Sequence, residues 1–165
     1  MPGLLANEIK QSVPFASAEI EAFLNLIRTT DGMRRDVSEL LRPHCLSAAG
    51  YNVLRILRGA GTVGLPCSEV AQRLISHDPD VTRLADRLIK AGFVARERPN
   101  TDRRVVVLRI TDAGLALLTQ LDDQLANLHQ RQLAHLGSER LASLIGLLEQ
   151  ARNPATNPLH TQEHP

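Results

Sequence analysis

The feature that most restricts the fold of this chain is a β-prone stretch inside a sequence with helical periodicity. Two runs, residues 93–98 and 105–110, contain Phe, Val and Ile residues typical of strands. The segment between them, residues 99–102, reads Pro-Asn-Thr-Asp, which is typical of a turn. Apolar residues recur at helical spacing on both sides of this stretch. The sequence therefore predicts one β-hairpin on a mainly α-helical body.

The segments before the hairpin have the order of a winged helix-turn-helix. A short helix is predicted over residues 68–75, with Ser68 as its cap. A longer helix is predicted over residues 79–91, because Asp78 can cap it and proline is favoured at the first helical position. Gly92 ends that helix. A short helix, a turn, a longer helix and a β-hairpin together predict a winged helix-turn-helix core with a β-hairpin wing.

Long helices are predicted on both sides of this core. The first begins at Ser17 and ends before Pro43, with a possible irregularity at residues 30–32. Ser47 caps the next helix, and Thr111 and Ser138 cap the two that follow the hairpin. The first helix and the last two carry more apolar surface than a small winged core can cover. We therefore expect the amino- and carboxy-terminal helices to form a dimer.

The two ends of the chain differ in composition from its middle. Residues 1–16 show little periodicity and predict a flexible arm, residues 17–151 predict the folded domain, and residues 152–165, rich in Pro, Asn and His, predict a disordered tail. No apolar run approaches the ~18 residues that span a membrane. The amino terminus also lacks the basic-then-apolar order of a secretory signal. These features predict a cytoplasmic protein.

Charge is distributed unevenly along the chain. The net charge is +1, but residues 83–109 carry eight Lys or Arg against three acids, which leaves −4 for the rest. A basic segment on an acidic body is the distribution expected of a duplex-binding protein, because phosphate neutralisation releases counterions. The alternative is a solvated surface on which charges happen to cluster.

Motifs for catalysis and metal binding are absent from the sequence. There is no nucleophile elbow, phosphate loop or zinc-protease pair, so neither an enzyme nor a cofactor is expected. His44 and Cys45 lack a second ligand pair, so no metal is expected. Cys45 and Cys67 are either packed thiols or sensors of oxidants, since Cys67 lies just ahead of a helix amino terminus.

Four segments resemble the MarR (multiple antibiotic resistance regulator) family of bacterial winged-helix transcription regulators. They are Val-Thr-Arg-Leu-Ala-Asp-Arg-Leu at 81–88, Gly-Phe-Val-Ala-Arg at 92–96, Asp-Arg-Arg at 102–104 and Leu-Arg-Ile-Thr-Asp-Ala-Gly at 108–114. The resemblance covers residues 17–151. It implies a homodimeric repressor on a near-palindromic operator, with recognition helices in major grooves and wing tips in flanking minor grooves. It also implies release of the operator by a small effector.

The resemblance also assigns candidate DNA contacts. Arg104 is the wing arginine that reaches the minor groove, Asp102 orients it and Arg103 meets phosphate. On the recognition helix the contacts are Thr82, Arg83 and Arg87. Asp80 departs from the family pattern, since an acid there either repels phosphate or accepts from a cytosine amino group.

An effector pocket is implied between the winged core and the dimer helices. Its candidate lining is Met33, Val37, Leu41, His44, Cys45 and Tyr51, with residues 115–118 facing them. The Tyr51 hydroxyl can orient a phenolic or carboxylate ligand, with Arg34 or Arg35 as the counter-charge, or it simply points into solvent. Two alternatives stay open for the function. One is a switch by oxidation of Cys45 or Cys67, and the other is a winged-helix module that binds proteins rather than DNA.

Overall fold

The computed structural model describes residues 3–76, 80–97 and 106–153. Within these residues the chain forms helices joined by short connections and one small sheet. The helices are α1 (Leu4–Glu8), α2 (Ala18–Leu41), α3 (Ala48–Ala60), α4 (Cys67–Arg73), α5 (Val81–Lys90), α6 (Asp112–Leu133) and α7 (Gly137–Arg152). The strands are β1 (Leu65–Pro66), β2 (Val94–Glu97) and β3 (Val107–Ile110), and 3-10 turns lie at Arg42–His44, Gly61–Val63 and Ala134–Leu136.

The sheet is antiparallel, with β3 between β1 and β2. The two strands predicted for the hairpin are confirmed as β2 and β3, which pair antiparallel with Val94 opposite Ile110. β1 pairs Leu65 with Leu108, and the sequence does not indicate this strand. A two-residue strand that contains a proline has no readable periodicity. Leu108 on the central strand is fully buried.

The hydrophobic core of the described residues lies around α3, α5 and β3. Its fully buried large side chains come from α2, α3, α4, β3 and α6, and they are Leu41, Val53, Leu54, Leu57, Val70, Leu108, Leu118 and Leu121. Burial of an aliphatic side chain of this size stabilises a fold by about 1.5–3 kcal/mol. The predicted fold class, mainly α with a winged helix-turn-helix core and a β-hairpin wing, is confirmed.

Two predicted helix starts near the turn were wrong. α4 begins at Cys67, directly after Pro66, so Ser68 lies inside the helix and does not cap it. The chain becomes extended at Leu74, which ends α4 before Ile75. α5 is capped by Asp80, two residues later than the predicted Asp78, which lies outside the described residues.

Local capping chemistry sets three other helix starts as predicted. Ser17 accepts from the amide of Ile20, and Ser47 accepts from the amide of Gly50 at 3.0 Å. Thr111 accepts from the amide of Gly114 at 3.1 Å. α2 runs without a break through residues 30–32, so the irregularity expected there does not occur.

The amino-terminal segment contains a helix that the sequence did not indicate. In place of an arm without regular structure, residues 4–8 form α1, in which Leu5 and Ala6 are buried. Glu8 of α1 lies 3.6 Å from Arg28 of α2. The three adjacent apolar residues at positions 4–6 show no helical periodicity, which is why this helix was missed.

The chain divides into two compact units, residues 1–125 and 126–165. In the first unit Leu118, Leu121 and Leu125 of α6 are buried in a single copy of the chain. In the second unit α7 begins at Gly137, so Ser138 lies inside the helix and the prediction that it caps α7 was wrong. None of the described residues of α7 is buried. The predicted tail lies outside the described residues from residue 154 onward.

Among the described residues, no helix combines the length and the apolarity that spanning a membrane requires.

Candidate nucleic-acid interface

α5 separates an apolar face from a polar one. Its buried side chains are Val81, Leu84, Ala85 and Leu88, which pack toward the core. Its exposed side chains are Thr82, Arg83, Asp86, Arg87 and Lys90. This division follows the helical period read from the sequence, and it presents a hydroxyl and three cations on one exposed helix.

Asp80 interacts with Arg83, a residue of the helix that it precedes. One carboxylate oxygen accepts from the backbone amide of Arg83 at 3.0 Å, which caps α5. The other lies 2.9 Å from Nε of Arg83, whose side chain is 83% exposed. Asp80, whose role the sequence left open, therefore caps α5 and forms an ion pair with Arg83. An acid at a helix amino terminus also interacts favourably with the helix dipole.

Ion pairs tie the wing strands to each other and to α5. Arg96 of β2 donates to a carboxylate oxygen of Asp86 on α5. Arg109 of β3 donates to Glu97 of β2 at 2.8 Å. Two cations of the basic segment are thus neutralised by neighbouring acids. The first pair links the wing to α5, and the second links the two wing strands to each other.

Arg87 and Lys90 form no ion pair with another described residue. Both are exposed on α5, so their charges can meet phosphates. The wing-tip candidates Asp102, Arg103 and Arg104 lie outside the described residues, and their assignments stay predictions.

The residues predicted to line an effector pocket lie at the end of α2 and the start of α3. Leu41 is fully buried, and Met33, Val37, His44 and Tyr51 are half-buried. His44 closes the 3-10 turn after α2. Their role in effector binding stays a prediction.

Tyr51 has a partner that the sequence analysis did not name. Nη1 of Arg55 donates to the Tyr51 hydroxyl at 3.0 Å, and the guanidinium carbon lies 5.8 Å from the ring centroid. Arg55 lies one helical turn after Tyr51 on α3, which is the signal that could have identified it. The positive charge beside the hydroxyl is therefore Arg55, whereas Arg34 and Arg35 had been expected there.

A bidentate ion pair links α3 to α6 beside this tyrosine. Arg58 donates to the two carboxylate oxygens of Asp122 at 2.7 and 3.0 Å. The hydrogen bond from Arg58 lowers the pKa of Asp122 and raises the pKa of Arg58, and Arg55 adds to the effect on Asp122. Arg58 and Asp122 are 64 positions apart in the sequence, so no local pattern indicates this pair.

A cavity of about 750 Å³ follows the exposed side of α2. It is lined by Phe23, Leu26, Ile27, Thr30, Asp31, Arg34, Arg35 and Ser38. All of these residues belong to α2, so the space is a groove along a single helix. Arg34 and Arg35 face this groove and do not share it with Tyr51.

The two cysteines occupy different environments. Cys45 is exposed, follows the 3-10 turn and adopts a left-handed backbone with φ of 51°. Cys67 is half-buried at the first residue of α4, and its amide donates to the carbonyl of Val106 at 3.2 Å. Both are free thiols.

The sequence and structure match known transcription regulators. The model of the MarR family matches residues 46–106. A crystal structure of a MarR transcription factor from Planctomyces limnophilus is 43% identical, with a TM-score of 0.65. The aligned region spans 82% of this chain and 98% of the P. limnophilus chain.

Two Escherichia coli proteins extend the comparison. A cysteine-to-serine mutant of MarR, crystallised with operator DNA, is 26% identical with a TM-score of 0.70, and covers 90% of this chain and 99% of its own. The homoprotocatechuate degradative operon repressor is 25% identical over 111 residues, which are 67% of this chain and 74% of the relative.

Proposed function

Because this chain belongs to the MarR family of winged helix-turn-helix transcription regulators, we propose that it is a homodimeric repressor. In this proposal it binds a near-palindromic operator and releases it when a small effector binds. The observation that carries the proposal is the exposed face of α5, where Thr82, Arg83 and Arg87 lie opposite a buried apolar face. Support for binding operator DNA and for repression comes from the two E. coli relatives.

Dimerisation is supported by apolar surface that one copy leaves exposed. On α2, Phe23 is 61% exposed and Ile27 51%, and on α7, Leu147 is 63% exposed. A second copy that covered this surface would stabilise the dimer by about 25 cal/mol for each Å² of apolar surface removed from water. It would also occupy the groove along α2.

Sedimentation over a range of concentrations tests the dimer. We expect a dimer at micromolar concentration, and dissociation in Phe23→Asp, since a charge at a dry interface is costly. Val63→Asp is the matched control, because Val63 is an exposed aliphatic residue outside the proposed dimer helices. A folded parental monomer at micromolar concentration would sink the proposal.

A binding titration with the DNA upstream of its own gene tests the operator role. Arg87→Ala should reduce the slope of log affinity against log salt by about 0.9 for each phosphate that is no longer neutralised. Arg104→Ala should cost about 1–3 kcal/mol of affinity, more on A·T-rich flanks. If the dimer binds this DNA no better than an unrelated duplex, the chain is better described as a protein-interaction module on a winged-helix scaffold.

The effector is proposed to be a small aromatic or phenolic acid that binds near Tyr51. Arg55 provides a guanidinium beside the Tyr51 hydroxyl, which suits a ligand with both a ring and an anionic group. Release of the operator by tenfold requires about 1.4 kcal/mol of coupling between the two sites.

The competing switch is oxidation of Cys45 or Cys67, which is covalent and reversed by thiols. The double variant Cys45→Ser, Cys67→Ser separates the two switches when it is challenged with peroxide and, separately, with aromatic acids. An effector pocket predicts release by acids in the parent and in the variant. Release by peroxide that vanishes in the variant, without any response to acids, would refute the pocket.

A further inference from the structure

The carboxylate of Asp80 is held by the backbone of α5 while it also meets an arginine side chain. One of its oxygens accepts from the amide of Arg83 at 3.0 Å, and the other lies 2.9 Å from Nε of the same residue. The capping hydrogen bond restricts where the carboxylate can lie. The guanidinium of Arg83 is therefore paired with an acid whose position the helix start already sets.

This ion pair leaves most of the Arg83 guanidinium available for another partner. The side chain is 83% exposed, and the carboxylate lies at Nε. Arginine also donates from its two terminal amino groups, which can form two parallel hydrogen bonds to one acceptor group. Within residues 3–76, 80–97 and 106–153, no second acid lies within ion-pair distance of Arg83.

The negative charge of Asp80 discriminates between the two kinds of acceptor that DNA offers an arginine, phosphate oxygens and the edge of guanine. A phosphate that approached Arg83 would also approach the Asp80 carboxylate, which repels it. The guanine edge carries no net charge and presents O6 and N7 as two neighbouring acceptors. The pair therefore favours guanine over phosphate as the partner of Arg83.

The positions of the two α5 arginines agree with this division. Arg83 is the third residue of α5, which begins at Val81. In a helix-turn-helix the amino-terminal residues of the recognition helix contact base edges in the major groove. Arg87 lies one turn later, where its Nε donates to the carbonyl of Arg83 at 3.4 Å. No described acid pairs with Arg87, so its charge suits a phosphate.

Resting on the proposed operator binding, we infer that Arg83 contacts O6 and N7 of a guanine in the operator and that Asp80 is its positioning residue. Asp80 holds Nε, leaves the terminal amino groups of Arg83 for the base and disfavours phosphate at that place. Arg83 then provides sequence preference, whereas Arg87 provides affinity that does not depend on sequence.

Replacement of guanine by 7-deazaguanine in the duplex upstream of the gene tests the contact. This analogue keeps O6 and its pairing with cytosine, but it has a C–H group in place of the N7 acceptor. A bidentate contact between arginine and guanine discriminates by at least about fivefold. The parent should therefore bind the guanine duplex at least about fivefold more tightly, and Arg83→Ala should lower that ratio by about the same factor.

Arg87→Ala is the matched control, because it removes an exposed arginine from the same helix. It should weaken binding to both duplexes and keep the parental ratio. A parental ratio near one, or an unchanged ratio in Arg83→Ala, overturns the inference. A parent that binds the guanine duplex no better than an unrelated duplex refutes the operator role itself.

Asp80→Asn tests the positioning role, because asparagine is also a favoured helix cap but lacks the charge that faces Nε of Arg83. The ratio should fall toward one, since Arg83 becomes free to meet phosphate. The slope of log affinity against log salt should steepen by about 0.9 for each phosphate that is gained.

Asp86→Asn is the matched control for the loss of an acid, because Asp86 is also exposed on α5. It should keep the parental ratio. Asp80→Asn would keep that ratio as well if Asp80 only capped α5, or if it accepted from a cytosine amino group, which the guanine analogue leaves intact. An unchanged ratio in Asp80→Asn therefore shows that Asp80 is not a positioning residue.

Discussion

The ion pair between Arg58 and Asp122 makes a quantitative prediction about stability. In the native protein the two carboxylate oxygens of Asp122 accept hydrogen bonds from Arg58 at 2.7 and 3.0 Å. Asp122→Asn keeps the size of the side chain but removes its negative charge and one of these two acceptor oxygens. Charge-assisted bidentate pairs are stronger than neutral ones. Solvent screens this pair, because the side chains of Arg58 and Asp122 are 31% and 40% exposed.

Exposed ion pairs contribute about 0.2–1 kcal/mol, and ideal bidentate geometry favours the upper end of that range. We therefore expect Asp122→Asn to lower the free energy of unfolding by about 1 kcal/mol. For a chain of this size that corresponds to a decrease of roughly 2–4 °C in Tm. Asp123→Asn is the matched control, since the adjacent Asp123 is exposed and forms no ion pair with another described residue.

The lowered pKa of Asp122 determines in which direction the stability changes with pH. Arg58 lowers the pKa of Asp122 below its ordinary value of 3.8. The stabilisation is therefore present above pH 3.8 and is lost as pH falls through the lower pKa of the folded state. The raised pKa of Arg58 contributes stability that is fully present across the acidic and neutral range and is lost only in strong alkali, so it adds no pH dependence there.

Urea unfolding at fixed protein concentration, followed from about pH 7 down to about pH 3, measures both quantities. A fixed concentration is required because dimerisation would add to the apparent stability. The difference between Asp122→Asn and the parent should shrink at the acid end. If Asp122→Asn costs no more than Asp123→Asn at neutral pH, or the difference does not change with pH, the reasoning about this pair is refuted.

Two further predictions concern the backbone around the DNA-binding elements. Gly64→Ala should destabilise the fold by about 1–3 kcal/mol in thermal unfolding, because φ is 71° and a Cβ would lie 2.5 Å from the carbonyl oxygen of Leu108. Gly59→Ala in α3, where a Cβ has open space, should instead be neutral or stabilise by up to about 1 kcal/mol. Asp80→Ala should cost about 1 kcal/mol through loss of the α5 cap, whereas Asp80→Ser should restore stability. If Asp80 only caps, Asp80→Ser keeps its DNA affinity or gains some, while a loss of specificity for cytosine would show that Asp80 reads bases.

Local signals in the sequence were sufficient for most of the winged core. The hydrophobic period over residues 81–90 identified both the buried face of α5 and its exposed arginine face. Ser47 and Thr111 marked helix starts, because a hydroxyl in that position satisfies an amide a few residues away. These features depend on neighbours within one or two turns, so they can be read directly from residue order.

Features that depend on distant residues were decided only by the tertiary structure. β1 exists because Leu65 meets Leu108, and two residues carry no period of their own. Asn52 reaches Ile75 across 23 positions, and Arg58 reaches Asp122 across 64. Since each side chain has many possible partners in the sequence, its actual partner is fixed only when core packing brings α3 against the turn and α6.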